Sequence, residues 1–239
     1  MEKSQSNSSV VEQTSEVMQS SGSRRNFIKT AGLTTAVGVA IFAVGCKSDD
    51  PIVTNDGTVN LGSNDTGILN YAYALEQLEA AFYIQVLTTP YAGMSPAETA
   101  VLIDIRDHEI IHRDFFKTAL GTNAIPGLEV NFSTIDFTSR DKVLGAAKLF
   151  EDTGIAAYNG AGKLLKDVNN LLLAGKIVSV EGRHAAAIAD LMRPNTAFFA
   201  GDDIIDKDGL DAAKMPSEIL TAVQPFIKTK ISGSNLPTA

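Results

Sequence analysis

Tryptophan is absent from the 239 residues, and cysteine occurs once, at Cys46, so no intrachain disulfide can form. Histidine is almost as scarce, with three in the whole chain. No block of lysine and arginine follows residue 46, and the net charge is -8. Binding a phosphate backbone needs clustered positive charge, so no nucleic acid is expected as a partner. A membrane-spanning helix needs about 20 apolar residues. The apolar run 31–45 is shorter and carries three glycines and two threonines, so it does not read as a permanent anchor. What remains is 44% hydrophobic and 20% charged, the balance of one globular domain behind a processed leader.

Residues 1–22 are rich in serine, glutamine and glutamate and show no hydrophobic periodicity, which predicts an unstructured start. Ser23-Arg24-Arg25-Asn26-Phe27-Ile28-Lys29 resembles a twin-arginine translocation signal, carried by Arg24 and Arg25. The run 31–45 then reads as the apolar region of that signal. Ala43-Val44-Gly45-Cys46 is similar to a lipobox, with alanine where leucine is more usual, and implies lipidation of Cys46. The alternative is a plain cleaved signal with Cys46 as an incidental thiol. Lys47-Ser48-Asp49-Asp50 resembles tags that send lipoproteins to the cell surface, and fits a simple polar tether equally well. The expectation is export through the twin-arginine translocase and tethering to a membrane by a lipid anchor, on the periplasmic or cell-surface side.

Downstream of this signal (1–45) and a linker (46–64), helical patterns dominate. Helix 1 is predicted from about Asp65 to Leu87, with Pro90 and Gly93 closing it. Ser95-Pro96-Ala97-Glu98 is a capping box with proline at the first helical position, and Gly121 follows the last turn of helix 2. Helix 3 is predicted from Thr138-Ser139 to about Lys166, and helix 4 from a turn at Asp167–Asn170 to the residue before Pro194. Loops 88–94 and 167–170 are short, so each pair forms an antiparallel hairpin. Residues 122–138, with possible extended pieces at Glu129–Ile135, span the bundle at about 3.3 Å per residue. The fold class is therefore all-α: a four-helix bundle (65–193) of two hairpins joined by one long crossover. A C-terminal extension (194–239), including a short helix Pro216–Phe226, is predicted to pack on it.

The chemistry lies in a repeat. His108-Glu109-Ile110-Ile111-His112 matches the zinc-protease pattern H-E-x-x-H, with Glu109 as base. It also contains E-x-x-H, and the same pattern returns as Glu181-Gly182-Arg183-His184. Helices 1 and 3 share E-x4-A-x-Y: Glu76 with Tyr83, and Glu151 with Tyr158. The order E, E-x-x-H, E, E-x-x-H places one carboxylate set in each hairpin, and all six residues lie near mid-helix. In antiparallel helices of matched length they meet in one layer, so Glu76, Glu109, His112, Glu151, Glu181 and His184 are the candidate ligands of two ions. Four carboxylates offset the charge of two divalent ions, and oxygen and imidazole donors suit iron or manganese.

This set resembles the ferritin-like di-iron/di-manganese carboxylate superfamily over residues 65–193, and within it the exported desiccation-related proteins. The resemblance implies a ferritin-like fold and two Fe or Mn ions, with Glu109 or Glu181 or both bridging. Glu76 and Glu151 would be terminal ligands, and His112 and His184 would each bind one ion. It also implies reaction with oxygen or peroxide, as an oxidase, peroxidase or catalase-like enzyme acting in stress protection.

Alternatives stand beside this reading. Tyr83 and Tyr158 either bond ligand carboxylates or relay electrons, or they are core tyrosines with satisfied hydroxyls. Glu79 could replace Glu76, at the loss of the match to Glu151. His108 is expected on another sector of helix 2. The protein could instead protect under stress without catalysis, its metal structural or vestigial. A zinc protease on His108, Glu109 and His112 leaves the second E-x-x-H without a role, and a closed storage cage fits poorly with a tether. The sequence does not fix the oligomeric state, and a homodimer is one assembly it leaves open. Asp206-Lys207-Asp208-Gly209 lacks the alternating acids of a calcium loop.

Overall fold

The computed structural model describes residues 52–238. The twin-arginine motif at Arg24 and Arg25, the apolar run 31–45 and Cys46 lie outside the described residues. Four long helices are present: α1 (Asn64–Thr88), α2 (Pro96–Leu120), α3 (Arg140–Gly162) and α4 (Val168–Met192). A shorter α5 (Pro216–Val223) follows, continued by one 3-10 turn through Phe226. α1 packs chiefly on α2 and α3 on α4, which are the two expected hairpins. Among the described residues, no helix is long and apolar enough to cross a membrane.

The predicted start of α2 is built as read. The Ser95 side chain accepts from the Glu98 backbone N–H at 3.2 Å, and the Glu98 carboxylate accepts from the Ser95 N–H at 2.8 Å. Glu98 also accepts from the Arg140 guanidinium at 2.6 Å, which ties this cap to the first turn of α3. α3 ends at Gly162 rather than near Lys166. The reason lies at the start of α1: the Asp65 carboxylate accepts the backbone N–H groups of Lys166 and Asp167 at 2.8 and 2.9 Å. That holds the chain in a turn before α4 begins.

α1 is buried without interruption from Asn70 to Ala80, the mark of a helix covered on all sides. The crossover and the tail supply that cover. Asn70 and Gln77, two turns apart on one face, reach out to the crossover. Asn70 donates to the Asn123 carbonyl and accepts from the Ile125 N–H, while Gln77 accepts from the Leu128 N–H at 2.8 Å. The extended pieces expected at Glu129–Ile135 reduce to one isolated antiparallel bridge, Val130 with Ile227 of the C-terminal tail.

That tail also reaches the segment before α1. β1 (Val59–Asn60) pairs in parallel with β2 (Ile231–Ser232), and Val59 and Leu61 are buried. Residues 59–61 were expected as linker, since two apolar side chains in a polar stretch carry no period. Their partner lies at the far end of the chain. Phe82 and Phe150 join the layers: Phe82 meets Phe132 of the crossover at 5.8 Å, and Phe150 meets Phe226 of the tail at 4.9 Å.

The tail is seated on α3 at one glycine. The Lys214 N–H donates to the Ala156 carbonyl at 2.9 Å, and a Cβ on Gly160 would stand 1.8 Å from the Lys214 carbonyl oxygen. Backbone cannot yield as a flexible side chain does. Gly160→Ala is expected to lower stability by about 2 kcal/mol or more, the upper range of overpacking, read from the urea midpoint of the metal-free protein.

Candidate metal centre

The six residues singled out by the repeat converge. Glu76, Glu109, Glu151 and Glu181 are fully buried, and His112 and His184 nearly so. They form two groups: Glu76, Glu109, His112 and Glu181; and Glu109, Glu151, Glu181 and His184. Within each group, one ligand atom per residue lies within 4.8 Å of all the others. Glu109 and Glu181 belong to both groups, so the two sets share an edge of two carboxylates. This follows from helix geometry: residues three apart share a face, so each E-x-x-H aims both its side chains inward.

His112 Nδ1 lies 2.9 Å from Glu181 Oε1 and 3.5 Å from Glu76 Oε2. His184 Nδ1 lies 2.7 Å from Glu109 Oε1, 3.1 Å from Glu181 Oε2 and 3.5 Å from Glu151 Oε2. Short distances here do not mean satisfied bonds. Glu76 Oε2, both oxygens of Glu109, Glu151 Oε2, Glu181 Oε1 and His112 Nδ1 are buried without a hydrogen-bond partner. Buried orphans of this kind are costly, and here they come from several helices and point at common positions. Four carboxylates and two imidazoles are a hard, anionic donor set, and it fits two divalent cations.

The outer oxygens are tied down. The Tyr83 hydroxyl of α1 donates to Glu151 of α3, and the Tyr158 hydroxyl of α3 donates to Glu76 of α1. Both tyrosines are therefore hydrogen-bonded to candidate ligands, each across to the other hairpin, which repeats the twofold relation of the sequence.

Electrostatics reflect a crowd of buried acids. Burial and the charge of Glu181 push the Glu109 carboxyl up to about 8, against its contacts with His112 and His184. Burial opposes charge on the histidines too. The carboxylates outweigh it, with Glu109, Glu181 and Glu76 around His112 and Glu109, Glu151 and Glu181 around His184, and push each up to about 12.

Two residues differ from expectation. His108 does not face another sector: its Nδ1 lies 2.9 Å from His184 Nε2, and the two rings are within 10° of parallel. Residues 108 and 112 are four apart and share a helix face. His108 belongs to neither donor group, so the H-E-x-x-H arrangement of two histidines on one ion is not built. Glu79 is buried but also outside both groups, which leaves Glu76 in the layer. Burial, then the charges of Glu109, Glu181, Glu151 and Glu76, raise the Glu79 carboxyl well above the usual range. Asp206 accepts the backbone N–H groups of Asp208 and Leu210 at 2.9 Å and so closes a turn.

The ferritin-like domain family model matches residues 64–194, from the first residue of α1 to just past α4. No curated protein matches the chain.

Metal must displace protons from this cluster, so binding is expected to release protons and tighten with pH. Glu109 carries a folded pKa above its unfolded one, so the stability it contributes is present below about 4.5 and is lost as pH rises towards 8. A metal ion restores what is lost. Saturating manganese should therefore raise the melting temperature more at pH 8 than at pH 5, with proton release seen in weakly buffered calorimetry.

Proposed function

Since the chain belongs to the ferritin-like domain family, we propose that it binds a di-metal centre of iron or manganese that reacts with oxygen or peroxide in stress protection. The observation that carries this is the convergence of six buried side chains, five of them with orphaned, inward-facing atoms, in two groups sharing Glu109 and Glu181. Glu76 and His112 would complete one ion's shell, and Glu151 and His184 the other's. When bound, two redox-active ions would relay electrons, from one peroxide to another or from an external reductant to oxygen.

The chain's own residues do the rest. Glu109 and Glu181 hold both positions at a fixed separation. Tyr83 and Tyr158 each occupy one oxygen of a terminal carboxylate, which keeps the other oxygen turned inward. Phe82 and Phe150, next in the chain to Tyr83 and Glu151, are buried against each other and against aromatic residues of the crossover and tail.

We further propose export by the twin-arginine route and lipid tethering at Cys46. The translocase carries folded proteins, which suits a centre loaded before export.

Protein purified from its native export route should contain close to two Fe or Mn per chain and should consume peroxide catalytically by dismutation, or oxygen when a chemical reductant is added. Glu109→Ala removes a carboxylate common to both groups. It should lower turnover by more than about 100-fold, beyond the usual cost of losing a supporting residue. One zinc and no Fe or Mn would favour hydrolytic chemistry. Two ions without turnover would favour the non-catalytic protective reading.

A further inference from the structure

The two halves of the centre correspond residue by residue: Glu76 with Glu151, Tyr83 with Tyr158, Glu109 with Glu181, and His112 with His184. The correspondence fails four residues before each ligand histidine. α2 carries His108 there, and α4 carries Val180.

His184 aims Nδ1 at Glu109, Glu181 and Glu151, and its Nε2 faces His108 Nδ1 at 2.9 Å. The ring centroids are 5.2 Å apart with planes 10° from parallel. That separation is about the nitrogen–nitrogen distance plus two ring radii. The rings thus lie edge to edge near one plane, the geometry of an in-plane hydrogen bond rather than of face-to-face stacking.

The bond has a chemical consequence. An imidazole that gives the Nδ1 lone pair to an ion keeps its proton on Nε2. His184 Nε2–H then donates to His108 Nδ1, and His108 carries its own proton on Nε2. One histidine therefore fixes both the tautomer and the ring plane of the other. By the twofold relation, the matching support for His112 would come from position 180, where valine offers no acceptor.

We propose that His108 is a positioning residue that makes the two metal positions unequal, the one beside His184 tight and the one beside His112 weaker and first to lose its ion. This rests on the reading that the six residues hold two ions. Support of a ligand histidine through its second nitrogen is typically worth 10–100-fold in metal affinity.

The full chain, stripped of metal, is titrated with cobalt(II) and separately with manganese(II). Two steps are expected, separated by about 10–100-fold. His108→Ala should weaken only the tight step and bring the two together, and His108→Asn, which keeps an acceptor, should restore part of the gap. Val180→His should tighten only the weak step. In the cobalt-loaded protein, the paramagnetically shifted ring N–H proton of His184 should exchange slowly with solvent. His108→Ala should speed that exchange and leave the His112 signal alone, a change that mere loss of packing would not produce. Two equal steps in the parent protein would overturn the inequality while leaving the di-metal reading intact. Equal weakening of both steps by His108→Ala, or none, would overturn the role of His108. A chain that takes up no ions would overturn both readings. Melting of each metal-free variant shows whether it is folded, and Val180→His carries the test if His108→Ala is not.

Discussion

Four carboxylates cannot share a dry layer at the middle of a helix bundle unless positive charge meets them there. The cost of burying one unpaired ion is several kcal/mol, and like charges at contact distance add to it. Each other feature of the centre answers that constraint. The carboxylates around His112 and His184 outweigh the cost of burial and favour the charged form of both. Burial, and then the charges of the four ligand carboxylates, disfavour a further charge on Glu79 beside the layer. The fold brings these groups together while α1, buried along its middle, is held from outside by Asn70 and Gln77 gripping the crossover.

The same constraint explains why the two hairpins are stitched at the site and not only packed. Tyr83 and Tyr158 cross from α1 to α3 and from α3 to α1, each donating a hydrogen bond to the other helix's carboxylate. A buried hydroxyl needs a partner and a buried carboxylate needs a donor, so one bond settles both demands. The pair also fixes the register of α1 against α3 at the level where the ligands meet.

Much of this was legible in the sequence because ligand spacing and helix periodicity are one signal. Glu109 and His112, and Glu181 and His184, could be placed on shared faces from spacing alone, and two short loops with one long connection gave the crossover bundle. Three things were not legible. His108 was read as belonging elsewhere, since its role depends on a helix 76 residues away rather than on its own neighbours. The stop at Gly162 depends on Asp65, a carboxylate at the far end of another helix that accepts the chain's N–H groups. The pairing of β1 with β2 depends on two short segments at opposite ends of the described chain, each too brief to show a period.

The glycine at 154 has a role that only the paired halves reveal. It corresponds to Glu79 as Glu151 corresponds to Glu76, and a Cβ built there would stand 3.0 Å from Glu79 Oε1. One half gave up its side chain where the other extends a carboxyl into the vacancy. The hairpins are thus no longer interchangeable. A chain assembled from two copies of the first would set two Glu79-type carboxyls against each other, and one from two copies of the second would leave a hole. Like a key and its lock cut from one blank, each half now specifies the other as its partner.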